Sequence, residues 1–291
     1  MVAGREGELA DQPRKLAVAA STKPTPGQPR GPRHLQPVPA RDEFGLDPRF
    51  RKSTAPIFRL LYEKYWRVDA RGMRNVPRRG PAILVANHSG AIPFDAAMIA
   101  YALEKARHPR PARFLYDRFV DNLPWVPRFY RRTGAVAASH ENAARLLELG
   151  ELIGLFPEGV AGLAKLYSER YVLQPFSSGV VRLALRYQAP LVPVAVVGAE
   201  EIYPQIAHVP ALGRLIGAPH LPVTPFFPLL GPLGLIPLPT KWLIRFGKPI
   251  VFPSAPGRSR EGVAIRAMAE QMRELVQQMV RQLLHRRRSL F

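Results

Sequence analysis

Residues 81–95 read Pro-Ala-Ile-Leu-Val-Ala-Asn-His-Ser-Gly-Ala-Ile-Pro-Phe-Asp, and this stretch decides the fold. Residues 82–86 are uniformly apolar and lie between turn-forming residues, a pattern typical of a strand buried on both faces. A polar loop follows at once, and a helical pattern covers 96–107. A strand, a loop and a helix in this order indicate one βα unit of a parallel sheet.

The same alternation continues along the chain. Apolar runs predict further strands at 113–116, 135–138, 152–156, 191–197 and 242–246, with helices at 141–149 and 178–187. We therefore predict an α/β fold, a single-domain sandwich in which helices flank a mostly parallel mixed sheet.

Two segments precede this core. Residues 1–45 are rich in Pro, Gly and Arg, which predicts a disordered leader before a domain at 46–291. Residues 46–70 contain apolar residues at three-to-four spacing, typical of an amphipathic helix: Ile57, Leu60, Leu61, Tyr65 and Val68. Such a helix either packs on the core or lies in a membrane interface, with Trp66 at headgroup depth.

Residues 215–240 contain no charged residue, yet seven prolines argue against a membrane-spanning helix. We predict an apolar loop that either covers the core or forms a hydrophobic rim. In the second case four side chains enter a bilayer or line an acyl-chain groove: Phe226, Phe227, Leu229 and Leu230.

Residues 260–288 predict a C-terminal amphipathic helix. Its expected apolar face consists of Val263, Met268, Met272, Leu275, Val276, Met279 and Leu283. Arg286, Arg287 and Arg288 at its end complement the helix dipole and are placed to contact acidic headgroups.

The charge balance points to an anionic partner. The 291 residues include 42 Lys and Arg against 22 Asp and Glu, a net charge of +20, and no Cys. Residues 51–135 hold 17 basic and 6 acidic residues, a net of +11. Nucleic acid, an acidic lipid surface and a polyanionic co-substrate all fit this excess. The absence of Cys excludes disulfides, thiol nucleophiles and thiolate metal sites.

His88 and Asp95 are the candidate catalytic pair. A side chain at the carboxyl end of a parallel strand lies where α/β sheets bind ligands. A carboxylate that holds one imidazole nitrogen protonated leaves the other free to take a proton from a hydroxyl. The alternative is a buried structural histidine and an aspartate that only caps the following helix.

Two later segments complete a pattern: Phe156-Pro157-Glu158-Gly159 after one strand, and Leu191-Val192-Pro193-Val194 within another. With Asn87, His88 and Asp95 they resemble the glycerolipid acyltransferase family, which includes lysophosphatidate and monoacylglycerol acyltransferases. The resemblance covers residues 71–249. It implies an O-acyltransferase of phospholipid or glycerolipid synthesis.

The chain departs from the family pattern at two places. Six residues separate His88 from Asp95, where the family usually has four. Residues 134–142 lack the arginine that binds phosphate in members with phosphorylated acceptors, and with 198–203 they look more like the monoacylglycerol acyltransferase branch. This favours a neutral or other lipid alcohol over lysophosphatidate.

The resemblance implies that His88 is the general base and that Asp95 orients it. It implies substrate-binding roles for Asn87, Ser89, Gly90, Phe156, Pro157, Glu158 and Gly159. Among these, Asn87 and backbone N–H groups of Ser89 and Gly90 are candidate oxyanion donors. Three cations either contact donor phosphates or form a solvated basic face: Lys165, Arg170 and Arg182.

The implied co-substrate is acyl-CoA or acyl-ACP (acyl carrier protein), with no permanently bound cofactor and no metal. The expected partners are a lipid acceptor and an anionic membrane surface, with no specific nucleic acid, at the cytoplasmic face of a membrane in a peripheral or monotopic position. Two alternatives stay open: a basic nucleic-acid-binding protein and a catalytically inactive lipid-binding relative.

Overall fold

A computed structural model describes residues 41–89, 92, 94–215, 217–252 and 261–291. Its strands are β1 (Asp69–Arg71), β2 (Ala82–Ala86), β3 (Ala112–Tyr116), β4 (Val136–Ala137), β5 (Leu152–Leu155), β6 (Leu191–Val197), β7 (Ala207–Val209), β8 (Leu221–Val223) and β9 (Leu243–Phe246). Seven of them form one sheet in the order β1–β9–β6–β2–β5–β3–β4, and β7 pairs with β8 separately. Within the large sheet, β6 and β9 are antiparallel and the other pairs are parallel. The predicted α/β fold class is confirmed.

Helices cover both faces of this sheet. They are α1 (Pro48–Leu60), α2 (Phe94–Glu104), α3 (Val126–Thr133), α4 (His140–Glu148), α5 (Val160–Leu163), α6 (Gly179–Tyr187), α7 (Pro210–Leu215) and α8 (Glu261–Arg286). Every residue of β2 is buried. Ile83 and Val85 pack in the cluster that includes α6 and α8, whereas Leu84 packs in the cluster that includes α2. Burial on both faces explains why this strand carries no polar side chain.

The register of the central strands positions the candidate site. Val85 of β2 lies opposite Leu155 of β5. His88 follows Val85 by three residues and Glu158 follows Leu155 by three residues. Two parallel strands therefore deliver these two side chains to one level at the carboxyl edge of the sheet.

The helix predicted over 46–70 is shorter than expected. After α1 the chain makes one π-helical turn at Leu61–Tyr65 and then enters β1. Trp66 is fully buried and its ring stacks on Trp242 at 4.8 Å between centroids, so of the two alternatives the structure shows packing on the core for this residue and not headgroup depth. Ile57 and Leu60 are exposed, whereas the π-turn carries the chain into the core.

The N-terminal boundary of the domain also needs correction. Residues 1–40 of the expected leader lie outside the described residues. Residues 41–45 belong to the folded unit, because Asp42 pairs with the buried Arg113 and Phe44 packs against the core. Burial raises the pKa of Asp42, but the hydrogen bond and charge of Arg113, together with the backbone N–H groups of Leu46 and Phe44, outweigh burial and lower the pKa overall. A Pro- and Arg-rich composition did not indicate this contact.

The apolar segment 215–240 contains β8 and a 3-10 helix at Gly231–Leu235. Its side chains expose large apolar surfaces, among them Leu229 at 82% and Leu233 at 68%. Phe226 and Leu230 are also exposed, and Phe227 is half-buried. Across the described ranges, none of the helices has the length and apolar character to cross a bilayer.

Helix α8 packs on the sheet along most of its predicted apolar face. Met272, Val276, Met279 and Leu283 are buried there. Val263 is 64% exposed, so its predicted place on the apolar face is wrong. The buried face of α8 begins at Ile265 instead. At the other end the Arg287 guanidinium pairs with the buried Glu201, so this arginine of the basic run has an internal partner.

Candidate active site

The loop after β2 returns to bring Asp95 against His88. The imidazole Nδ1 of His88 lies 2.8 Å from Oδ2 of Asp95, and the Asp95 side chain is fully buried. The same oxygen accepts hydrogen bonds from the backbone N–H and hydroxyl of Ser89, both at 3.1 Å. The other carboxylate oxygen accepts the N–H of Ala96 at 2.8 Å, in the first turn of α2. Asp95 therefore serves the helix start and the imidazole together.

This contact fixes the chemistry that the imidazole can perform. A carboxylate at Nδ1 favours the tautomer protonated there, which leaves Nε2 as a proton acceptor. The ring stacks on Phe156 with a 4.1 Å separation of centroids and an angle of 15°. His88 is held at its ring edge and on its face, so its orientation is set before any substrate binds.

Glu158 holds the backbone of the histidine. Its Oε1 accepts the N–H of His88 at 2.7 Å, and its Oε2 accepts the N–H of Gln174 at 2.8 Å. Gly162 of α5 approaches both residues so closely that a Cβ there would lie 2.9 Å from the Cβ atoms of His88 and Glu158. The strand-end turn thus supports the site mechanically, and Glu158 is not among the described residues that line the apolar cavity beside His88.

Lys165 joins Glu158 to a second buried carboxylate. Its Nζ lies 3.2 Å from Oε2 of Glu158 and 2.9 Å from Oε1 of Glu200. Burial opposes the charge on Lys165, but the attraction of the two carboxylates outweighs it and raises its pKa. Burial raises the pKa of Glu200 against the pull of Lys165. We call these three residues the buried triad.

Of the three expected donor-phosphate contacts, the structure contradicts the one at Lys165. The side chain of Lys165 is 3% exposed and is neutralised within the buried triad, so no phosphate reaches it. Arg170 is exposed and its guanidinium lies over the ring of Tyr167. Arg182 is an exposed residue of α6. Neither arginine is among the described residues that line the cavity beside His88.

Two expected oxyanion donors are also committed elsewhere. The side-chain amide of fully buried Asn87 donates to the carbonyl of Val196 at 3.0 Å and accepts its N–H at 2.8 Å. This amide ties the end of β2 to β6, so Asn87 is a structural residue rather than a substrate ligand. The N–H of Ser89 is taken by Asp95. Pro157 is buried, and Gly90 lies outside the described residues.

An apolar cavity of about 600 Å³ opens beside the imidazole. Its wall includes small residues of α2 and a set of aromatic rings: Ala96, Ala97, Ala100, Phe94, Tyr101, Phe114, Phe119, Phe129, Tyr130 and Phe156. We call this the main cavity. His88 and Gly159 line it, and an ion pair between Arg51 and Glu104 also borders it. Burial, helped by the charge of Asp95, raises the pKa of Tyr130 to about 12, so its phenol stays neutral.

A second, smaller cavity of about 240 Å³ adjoins the first. The two share three wall residues, Ile92, Phe119 and Leu163. The remaining wall comes mainly from residues 218–235, together with Leu123 and Tyr203. We call this the side cavity.

Sequence reasoning missed several of these features. Glu200 lies in the run 198–203 that indicated a family branch, yet nothing local shows that it faces Lys165 across 35 positions. The aromatic wall from α3 was not predicted either, because Pro124 and Pro127 interrupt the sequence pattern around the start of that helix. Lys165 is the one charged residue in the small and apolar run 159–166 that follows Glu158. Such an isolated charge was a signal that this lysine is buried with a partner.

Comparisons with known proteins agree with this architecture. A family model described as Acyltransferase matches residues 67–197. The uncharacterized protein Rv0502 of Mycobacterium tuberculosis is 42% identical over 255 residues, which are 86% of this chain and 71% of that protein. Phytyl ester synthase 2, chloroplastic, of Arabidopsis thaliana is 30% identical over 141 residues, covering 45% of this chain and 20% of that protein.

A solved structure shares the fold. The 1-acyl-sn-glycerophosphate acyltransferase PlsC of Thermotoga maritima superposes with a TM-score of 0.51 at 18% identity, covering 83% of this chain and 80% of that one. The plant protein is named for phytyl esters and the bacterial protein for 1-acyl-sn-glycerophosphate, so these two relatives differ in substrate.

Proposed function

We propose that this chain, which belongs to the acyltransferase family, moves a fatty acyl group from a thioester donor to a hydroxyl of a glycerolipid or similar lipid alcohol. The donor is acyl-CoA or acyl-ACP. One observation carries the proposal: a carboxylate-oriented histidine borders a large apolar cavity. A base next to a hydrocarbon-sized cavity suits a reaction between an alcohol and a fatty acyl thioester.

The reaction needs no covalent enzyme intermediate. Nε2 of His88 takes the proton of the acceptor hydroxyl as its oxygen attacks the thioester carbonyl, and Asp95 stabilises the imidazolium that forms. The tetrahedral intermediate collapses with cleavage of the carbon–sulfur bond, and the imidazolium returns the proton to the leaving thiolate. The products are an oxygen ester and a free thiol.

The main cavity supports the position of the acyl chain. Alanine side chains on α2 leave room beside an aromatic wall, and the cavity continues from His88 to the pair of Arg51 with Glu104. An apolar chain gains about 0.8 kcal/mol for each methylene buried in such surroundings. With the acyl chain there, the thioester carbonyl lies at the imidazole.

We also place the protein at an anionic membrane surface, on the cytoplasmic face. Exposed apolar side chains of 215–240 and exposed Trp125, at 82%, support insertion at headgroup depth. Each Lys or Arg near an acidic bilayer adds on the order of 1 kcal/mol of attraction.

Vesicle binding tests this placement. We expect the protein to bind phosphatidylglycerol vesicles more strongly than vesicles of phosphatidylcholine alone, and the double substitution Leu229→Ser with Leu233→Ser to weaken the binding. Equal binding of the doubly substituted protein would reject the apolar contribution.

Enzyme assays with purified protein test the chemistry. Acyl-CoA, a panel of lipid alcohols and a thiol reagent report donor cleavage, and chromatography identifies the ester. We expect His88→Ala and Asp95→Asn to lower kcat by about 10²–10⁴-fold. His140→Ala is the matched control, because this histidine is exposed at the start of α4. Wild-type rates in His88→Ala would refute the mechanism, and a silent wild type would favour the inactive lipid-binding relative.

A further inference from the structure

The reaction proposed above involves two hydrocarbon chains that meet at one carbonyl. When the acceptor oxygen attacks the thioester, the acyl chain and the hydrocarbon of the acceptor leave the reacting carbon in different directions. A single apolar channel beside His88 accommodates one of them. Among the described residues, Ile92, Phe119 and Leu163 line both the main cavity and the side cavity, and His88 lines the main cavity.

We infer that the side cavity binds the hydrocarbon part of the acceptor, and that this acceptor is an uncharged lipid alcohol. This inference rests on the proposed acyl transfer and adds the substrate class for the second chain. The inference depends on the wall that the two cavities share, in which Leu163 follows Gly162, the glycine that packs against His88 and Glu158.

The charges around the side cavity determine what it accepts. Its described wall contains no Lys, Arg, Asp or Glu. The ionisable groups are His220 and Tyr203. Burial and then the neighbouring His208 lower the pKa of His220, and burial raises the pKa of Tyr203, so both are neutral near pH 7. An ionised headgroup there would lose its hydration without gaining a partner.

The main cavity adds to this argument. In an acceptor such as lysophosphatidate the phosphate lies a few bonds from the reacting hydroxyl, so it requires a cation near His88. Among the described residues that line the main cavity, Arg51 is the one cationic side chain, and Glu104 pairs with it. Lys165 is buried and ion-paired with Glu158 and Glu200. A neutral hydroxyl compound fits these surroundings.

The size difference assigns the two chains. The main cavity, at about 600 Å³, suits a fatty acyl chain, and the side cavity, at about 240 Å³, suits a shorter hydrocarbon. Each cavity has a small wall residue whose enlargement would shorten it. These are Ala100 on α2 for the main cavity and Ala218 for the side cavity.

A crossed chain-length experiment tests the assignment. Wild type, Ala100→Phe and Ala218→Phe are assayed with saturated acyl-CoA donors from hexanoyl to palmitoyl, and with straight-chain alcohols from hexanol to hexadecanol. We expect Ala218→Phe to move the alcohol optimum to shorter chains and to leave the donor optimum in place. Ala100→Phe moves the donor optimum instead. Each excluded methylene costs about fourfold in kcat/KM.

Two further variants separate cavity filling from damage to the fold. Ala211→Phe makes the same change at an exposed position of α7, and both chain-length profiles should match the wild type. Leu123→Ala enlarges the side cavity and should move the alcohol optimum to longer chains. The opposite shifts of Leu123→Ala and Ala218→Phe cannot come from general destabilisation.

The possible failures are distinguishable. No acyl transfer by the wild type would reject the proposed function itself. Transfer with an alcohol profile that Ala218→Phe leaves unchanged, or a donor profile that it shifts, would overturn this inference alone. A kcat/KM for lysophosphatidate above that for monoacylglycerol of the same chain would overturn the assignment of an uncharged acceptor.

Discussion

Replacing Lys165 by Met should strongly destabilise the protein. Methionine has a similar length and fills the space, so the change removes charge with little loss of packing. It leaves two carboxylates, Glu158 at 0% and Glu200 at 4% side-chain exposure, without their shared ammonium. Removing one partner of a buried ion pair costs about 3–5 kcal/mol. The domain should still fold, since total stabilities of about 5–15 kcal/mol are usual.

The pH dependence identifies the cause of this loss. Without Lys165, burial raises the pKa of Glu200 further than it does in the wild type. A carboxyl whose pKa is higher in the folded state contributes stability below its unfolded pKa of about 4.3, and this stability is lost as pH rises through the folded value. The deficit of Lys165→Met should therefore be largest near neutral pH and shrink towards about pH 5.

Urea unfolding followed by circular dichroism measures this deficit at both pH values. Lys105→Met is the matched control, because Lys105 pairs with Glu63 at an exposed site, where a salt bridge is worth about 0.2–1 kcal/mol. A loss for Lys165→Met no larger than that of the control, or one that does not change with pH, would refute the reasoning. Turnover should fall with stability, since Glu158 also holds the N–H of His88.

Three other changes test the support of the site. Asn87→Ala leaves the N–H and carbonyl of Val196 unpaired in the core and should lower the free energy of unfolding by about 2–4 kcal/mol, measured in urea; a loss below 1 kcal/mol contradicts this. Gly162→Ala sets a methyl group 2.9 Å from the Cβ of His88 and should lower kcat more than it changes KM for the donor; unaltered kcat contradicts it. Burial lowers the pKa of His220, so its contribution to stability is present above about pH 6.5 and is lost as pH falls. Protection factors of the surrounding amides, which correct for the pH dependence of intrinsic exchange, should fall on acidification and fall less in His220→Phe; equal falls in both proteins contradict this.

The βα units around the site were predictable because their signals are local. An uninterrupted apolar run identified β2, and β6 was predicted with the bounds that the structure shows. The approach of Asp95 to His88 was also accessible, since only six residues lie between them in the sequence. These features depend on neighbours in the sequence.

The long-range contacts could not be predicted from one chain. The amide of Asn87 resembles a candidate ligand in the sequence, and only the register of β2 against β6 shows that it pairs with Val196. In the sequence Lys165 is one of several cations and looked suited to a phosphate. In the fold it is buried against Glu200, which lies 35 positions away in the chain. Charge patterns do not specify which cations reach solvent.

Short polar strands escaped prediction for a different reason. The three residues of β1 include Asp69 and Arg71, whose charged side chains pair with each other at the sheet edge. Such a strand has neither an apolar run nor clear alternation. Trp66, just before it, looked suited to a membrane interface, but its ring packs against Trp242 from a distant strand end.

The catalytic pair and the wall of the side cavity come from different parts of the chain, so the two could change independently over evolutionary time. His88 and Asp95 lie at the ends of β2 and α2, whereas most of the side-cavity wall comes from residues 218–235, beyond the segment 67–197 that the family model matches. Mutations there can reshape this wall without moving the imidazole or the strands that carry it. Paralogues that keep His88 and Asp95 could thus diverge in the proline-rich segment 218–235. Under the proposed function, each would accept a different alcohol and use the same catalytic step.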